Sequence, residues 1–142
     1  FKITNIYGGE DISTQTVMIE AGPLKGLKTS NSRAQDYKVV LSDVQSINAL
    51  EGENITYITA NTWMYLATDK EYATNSSYIY FYEKEELFDC LDQYFEMHHD
   101  KLPTYVYVDD SNKLKIDGSE EWFSDLEKIE DLNHGKLYLK TK

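Results

Sequence analysis

The chain has 142 residues, with 14 Lys and Arg against 25 Asp and Glu, so its formal net charge at pH 7 is −11. Hydrophobic residues make up 41% and aromatic residues 13%, a composition that excludes a disordered chain. An acidic chain is a poor partner for nucleic acid, because phosphate binding depends on clustered Lys and Arg. No apolar run approaches the roughly 18 to 20 residues that a transmembrane helix needs, so we expect a soluble domain.

Metal and thiol chemistry are not expected. Cys90 is the one cysteine, which excludes an internal disulfide and a multi-cysteine zinc site. His98 and His99 are adjacent, and adjacent side chains on a helix point about 100° apart, so they do not chelate one ion together. Residues 109–121 depart from a calcium loop because Lys113 stands at a ligand position. We therefore expect no metal and no cofactor.

Apolar periodicity predicts three helices. The first begins at Ser32, where Ser32 and Gln35 form a capping box, and it ends near Leu50. The second follows glutamates that favour the positive end of a helix dipole, and the third begins with an N-cap at Ser119 and stops before Gly135. The apolar stripes are Ala34, Tyr37, Val40, Leu41, Val44 and Ile47; Leu87, Leu91, Tyr94, Phe95 and His98; and Trp122, Phe123, Leu126 and Ile129.

Segments rich in β-branched and aromatic residues predict strands between these helices. They are residues 16–20, 55–60, 78–82, 104–108 and 136–140, with a hairpin return at 113–116 after a turn at 109–112. Strands that alternate with helices predict an α/β three-layer sandwich, with a mostly parallel central sheet of about 4–5 strands and helices on both faces. We expect residues 1–142 to form a single domain. The chain begins at Phe1 instead of Met, so we also expect it to be a fragment of a longer protein.

Two groups of residues are candidates for ligand binding. The Gly-Pro-Leu-Lys-Gly segment at 22–26 either forms a tight turn or, together with Lys25, Lys28 and Arg33, attracts a phosphate. Trp63 and Tyr65 belong to an aromatic region that either packs the sheet or stacks on sugar rings. Both alternatives remain open for each group. No base or nucleophile is singled out by spacing, so we expect no catalysis in this domain.

The order of three motifs resembles a known family. Residues 22–29 read Gly-Pro-Leu-Lys-Gly-Leu-Lys-Thr, residues 61–69 read Asn-Thr-Trp-Met-Tyr-Leu-Ala-Thr-Asp, and an acidic helix precedes Lys-Leu-Pro-Thr-Tyr-Val-Tyr-Val at 101–108. This succession resembles the C-terminal extracytoplasmic domain of polytopic bacterial membrane glycosyltransferases and polysaccharide-assembly proteins.

That resemblance implies a non-catalytic soluble domain at the extracytoplasmic face of the bacterial cell membrane. The transmembrane part of the same chain would precede it and would hold the catalytic carboxylate. The implied partners are that transmembrane part and a lipid-linked sugar or glycan. Lys25, Lys28 and Arg33 would then contact a phosphate, and Trp63 and Tyr65 a sugar ring.

A second resemblance covers a shorter span. Leu102-Pro103-Thr104, followed by a strand, a turn, a second strand and a C-terminal helix, is similar to the latter half of a thioredoxin-like domain. Such a domain would be redox-dead here, because the Cys-x-x-Cys motif that its chemistry needs is missing. The alternative function is a secreted or lipid-anchored protein-binding module, in which the aromatic middle region recognises a partner; a redox-dead thioredoxin-like domain is one form of it.

Overall fold

A computed structural model describes residues 11–141, and the expected domain bounds of 1–142 extend beyond it at both ends. The elements are, in chain order, β1 (Val17–Met18), β2 (Lys28–Thr29), α1 (Asn31–Asn48), β3 (Asn54–Ile58), α2 (Met64–Ala67), β4 (Glu71–Tyr72), α3 (Lys84–Met97), β5 (Tyr105–Asp109), β6 (Leu126–Asp131) and β7 (Gly135–Lys140). Within residues 11–141, no helix is long and apolar enough to cross a bilayer.

The first two predicted helices are present, with a change at one N-terminus. The N-cap of α1 is Ser30, two residues before the predicted Ser32. The Ser30 side chain accepts a hydrogen bond from the Arg33 backbone N–H at 3.3 Å. The capping box predicted at Ser32 is therefore wrong. Helix α3 does begin with a capping box, formed by Glu83 and Glu86, in which each side chain satisfies a backbone N–H that has no partner within the helix.

The third predicted helix is wrong. Only Glu121–Phe123 forms a 3-10 turn, and the residues after it extend as β6. Strand β6 lies at the edge of the sheet and pairs with β7, and five of its six residues are exposed. The apolar residues after Ser119 therefore do not form the buried stripe of a helix. Hydrogen bonding to β7 makes this segment a strand, although the spacing of its apolar residues fits a helix.

Two predicted strands are also wrong, and local side-chain hydrogen bonds explain the second. Residues 78–82 contain a 3-10 turn at Ile79–Phe81. Residues 113–116 close into a turn because Asn112 bonds both backbone groups of Ile116, accepting from its N–H at 2.9 Å and donating to its carbonyl at 2.7 Å. Asn side chains that bond nearby backbone in this way compete with strand pairing.

The central sheet has five strands in the order β4-β3-β5-β7-β6. Strand β3 is parallel to β4 and β5, whereas β7 is antiparallel to β5 and β6. The fold is mixed α/β, and the prediction of a mostly parallel sheet is wrong. The reason is that β6 and β7 are joined by three residues, a connection that only antiparallel strands allow. Strand β1, expected in this sheet, pairs with β2 in a separate hairpin.

Helices cover both faces of the sheet. Side chains of β3, β5 and β7 alternate between two apolar clusters, as strand geometry requires. One cluster joins Tyr57, Tyr107 and Leu137 to α1 and α2, and the other joins Ile58, Val106 and Tyr138 to α3. The prediction of helices on both faces is confirmed. Strands β3 and β5 are buried along their whole length because they lie in the middle of this sandwich.

We predict that Tyr57→Phe increases stability and weakens its dependence on alkaline pH. The Tyr57 hydroxyl is buried and makes no hydrogen bond with the described residues, so its removal should raise the free energy of unfolding by about 1 kcal/mol at pH 7. Burial raises the pKa of Tyr57 to about 12, above the value of roughly 10 expected in the unfolded chain. The unfolded state therefore loses this proton first, and stability falls as pH rises from 10 to 12.

Urea unfolding at pH 7 and pH 11 tests this prediction. From pH 7 to pH 11, the free energy of unfolding of the wild type should fall by about 1 kcal/mol more than that of Tyr57→Phe. Tyr78→Phe is the matched control, because Tyr78 is exposed and should behave like the wild type. A loss in Tyr57→Phe equal to that of the wild type would contradict the prediction.

Candidate functional site

A cleft of about 610 Å³ runs along one side of α1. Its walls come from the β1–β2 hairpin, the first half of α1, the segments that follow β3 and β5, and the turn between β6 and β7. Strands β3 and β5 are parallel, and the carboxyl ends of parallel strands are where open α/β sheets bind ligands. The volume lies within the range of small-molecule sites.

The hairpin wall is held on α1 by Tyr37. The Tyr37 hydroxyl donates to the Ala21 carbonyl at 2.8 Å and accepts from the Leu24 N–H at 3.4 Å. Gly22 has a φ of 72°, and a Cβ there would meet the Tyr37 hydroxyl at 2.3 Å, so this position requires glycine. The Gly-Pro-Leu-Lys-Gly segment is therefore the turn of a hairpin and does not lead from the central sheet into α1.

Three of the five predicted binding residues line this cleft. Lys28, on β2, and Arg33, on α1, supply cationic groups, and Trp63 lies with its ring centroid 4.5 Å from that of Tyr37. Lys25 is exposed at the hairpin turn, outside the lining. Tyr65 is 3% exposed, and its hydroxyl accepts a hydrogen bond from the Tyr57 backbone N–H at 2.9 Å. Tyr65 packs the core, as the alternative interpretation of the aromatic region held.

A buried carboxylate that the sequence reasoning missed lies under the cleft. Asp109, at the end of β5, is 0% exposed. One of its oxygens accepts from the Thr59 hydroxyl at 2.6 Å and from the Asn61 amide at 3.3 Å. The other accepts from the Ser111 hydroxyl at 2.7 Å and lies 3.3 Å from Nε2 of His134. Asn61, Ser111 and His134 all line the cleft.

A second buried carboxylate holds the turn between β6 and β7. Asp43, on α1, is 0% exposed and accepts hydrogen bonds from the backbone N–H groups of Asn133 at 2.9 Å and His134 at 2.8 Å. It also accepts from the Tyr107 hydroxyl at 2.9 Å. Burial, with the Asp43 charge beside it, raises the pKa of Tyr107, so this hydroxyl remains a donor throughout the neutral range.

The groups of the cleft lie on different walls. Lys28 on β2 and Arg33 on α1 supply the cationic side chains, and Trp63 contacts Tyr37 of α1. The polar groups around Asp109 lie on the segments that follow β3 and β5 and on the turn between β6 and β7.

The polar end does not form a catalytic triad. In a Ser-His-Asp triad the histidine accepts the serine proton and the aspartate bonds the other ring nitrogen. Here the Ser111 hydroxyl donates to Asp109 directly, and the same Nε2 of His134 faces both partners, at 3.4 Å from the Ser111 oxygen. This arrangement does not activate the serine.

Other candidates for chemistry lie away from the cleft. Cys90 is half-buried on α3. Among residues 11–141, no group of three His, Cys, Asp or Glu side chains is placed to hold a metal ion. The thioredoxin-like resemblance also loses a support in this part of the chain, because strands replace the expected C-terminal helix.

No protein-family model, curated protein or solved structure matches this chain. The functional interpretation therefore depends on the chemistry of the cleft.

Two signals in the sequence could have found the missed residues. Asp43 interrupts the apolar stripe of the first helix between Val40 and Val44, and a charged residue on a buried face needs partners. Asp109 and Asn61 follow the two buried parallel strands, where polar side chains meet at one edge of a sheet. His134 gave no such signal, because it was expected beyond the end of a helix.

We predict that Asp43→Ala destabilises the fold strongly. The substitution leaves the N–H groups of Asn133 and His134 and the Tyr107 hydroxyl without their acceptor, so the free energy of unfolding should fall by about 3 kcal/mol. Asp36→Ala, an exposed position on the same helix, should change it by less than about 0.5 kcal/mol. Urea unfolding of both variants measures the difference, and equal stability would show that the Asp43 network contributes little.

Proposed function

We propose that this chain is a non-catalytic binding domain of a bacterial membrane glycosyltransferase or polysaccharide-assembly protein, placed at the extracytoplasmic face of the membrane. Its cleft contacts the lipid-linked sugar donor or the glycan acceptor while the transmembrane part of the same chain carries out the transfer. The observation that carries the proposal is the cleft itself, which brings Lys28, Arg33 and Trp63 together. The motif order described above supports the cellular context.

The side chains of the cleft suit a sugar phosphate. Lys28 and Arg33 are both cations, and Arg in particular bonds phosphate through two parallel N–H groups. Trp63 provides an aromatic face against which the apolar side of a sugar ring can stack. The concentration of positive charge here is local, because the chain as a whole carries a net charge of −11. Attraction of a phosphate therefore depends on these particular residues.

The polar end of the cleft supports binding in place of catalysis. Its hydroxyl, amide and imidazole groups are all engaged with Asp109, which holds them in fixed positions. Groups fixed in this way bind ligands with a small loss of conformational entropy. A nucleophile or general base would instead need a group poised to exchange a proton with substrate.

We predict that Lys28→Ala weakens binding of a short-chain isoprenyl-phosphate hexose, whereas Lys25→Ala does not. The two lysines are three residues apart on the same hairpin and both are exposed, but only Lys28 lines the cleft. Loss of one exposed ionic contact corresponds to about 1 kcal/mol, roughly a fivefold rise in Kd. The difference should shrink at high salt, because salt screens exposed charges.

NMR titration of the 142-residue chain measures these affinities, including weak ones. An equal loss of affinity in Lys25→Ala and Lys28→Ala would indicate diffuse electrostatic attraction, and it would show that the cleft is not the binding site. Failure of the wild type to bind the sugar phosphate at millimolar concentration would overturn the proposed function and favour the protein-binding alternative.

A further inference from the structure

The polar end of the cleft has a chemical preference that the sequence did not suggest. We infer that Asp109 is a positioning residue that fixes the oxygens of Ser111 and Asn61 as hydrogen-bond acceptors at this end of the cleft, so that it receives the hydroxyl groups of an uncharged sugar and rejects an acidic one. The inference rests on the proposed function, because it assumes that the cleft binds a sugar phosphate.

The first step is the direction of the hydrogen bonds around Asp109. A carboxylate only accepts, so every group bonded to it must donate. Ser111 uses its single hydroxyl proton, and its oxygen retains only lone pairs. Asn61 gives one amide proton to Asp109, so its carbonyl oxygen remains as an acceptor and its second amide proton as a donor.

The role of Nε2 of His134 follows from the same network. Nε2 lies 3.3 Å from an Asp109 oxygen and 3.4 Å from the Ser111 oxygen, whose own proton already goes to Asp109. Both neighbours are therefore acceptors toward the ring, so Nε2 carries a proton and donates it to this network.

The second step is the sign of the local charge. Asp109 and Asp43 are both fully buried, and both contact His134: Asp109 at the ring and Asp43 at the backbone N–H. Carboxylates in a region of reduced dielectric act on neighbouring charges more strongly than exposed ones do. A second anionic group on the ligand would therefore be repelled at this end, while hydroxyl donors would find the acceptor oxygens of Ser111 and Asn61.

The third step is the orientation of the ligand. Lys28 and Arg33 lie on β2 and at the start of α1, whereas the acceptors Asn61 and Ser111 lie on another wall of the same cleft, formed by the segments that follow β3 and β5. A ligand with a phosphate at one end and hydroxyl groups at the other matches this polarity in one direction only. The cleft therefore selects both the orientation of a sugar phosphate and the charge of its sugar.

Titration with three probes tests this inference: inorganic phosphate, glucose 1-phosphate and glucuronic acid 1-phosphate. The two sugar phosphates share the ring and the phosphate, and they differ by one carboxylate. We expect the wild type to bind the neutral sugar at least about tenfold more tightly than the acidic one. In Asp109→Asn the side chain can donate as well as accept, so this ratio should fall toward one while the affinity for inorganic phosphate stays unchanged.

A second variant keeps the test decisive if Asp109→Asn does not fold. Ser111 is exposed, and Ser111→Ala removes one acceptor and one donor to Asp109, whose hydrogen bonds from Thr59, Asn61 and the Ser111 backbone N–H remain. It should weaken glucose 1-phosphate binding about fivefold and leave inorganic phosphate unaffected. Ser42→Ala, an exposed serine of α1 outside the cleft, is the matched control. Thermal unfolding of each variant separates loss of binding from loss of fold.

The outcomes distinguish the inference from the proposed function. Equal affinity of the wild type for the two sugars, or an unchanged ratio in Asp109→Asn, would overturn the inference alone. Unchanged glucose 1-phosphate binding in Ser111→Ala would do the same. If the wild type binds none of the three probes, the proposed function itself fails.

Discussion

The architecture of the cleft depends on one buried charge. Asp43 lies on the apolar face of α1, where a carboxylate without partners would cost several kcal/mol. Its partners come from β5 and from the β6–β7 turn, so the helix, the central strand and the turn are in register only when all of these bonds form. This requirement places His134 beside Asp109 and thereby defines the polar end of the cleft.

The periodicity of apolar residues was sufficient to predict the buried helices and strands, but it was insufficient to predict the exposed ones. Helices α1 and α3 and strands β3, β5 and β7 bury apolar residues at regular intervals, and that pattern is visible without a structure. Strand β6 buries almost nothing, so its spacing does not distinguish a strand from a helix, and its conformation is set by pairing with β7. The mixed direction of the sheet follows from that same hairpin.

The site was predictable only in part, for a similar reason. Lys28, Arg33 and Trp63 stood out as cationic and aromatic side chains near a turn, and the fold brings them to one cleft. Tyr65 looked equivalent to Trp63 in the sequence, but α2 turns it toward Tyr57 and the core. Asp109 and His134 are 25 residues apart in sequence numbering, and only the antiparallel pairing of β5 with β7 brings them together.

The two walls of the cleft are held in different ways, and this difference bears on how a ligand would bind. The polar wall is fixed by hydrogen bonds to two buried carboxylates, whereas the hairpin that carries Lys28 is held on α1 by Tyr37 and a small apolar cluster with Ile19 and Leu41. Regions with few buried contacts open at lower free energy than the core. A sugar phosphate that bonds both walls would therefore add contacts chiefly to the hairpin. Part of its binding free energy would be offset by the ordering of the hairpin wall, because the polar wall is already fixed before the ligand binds.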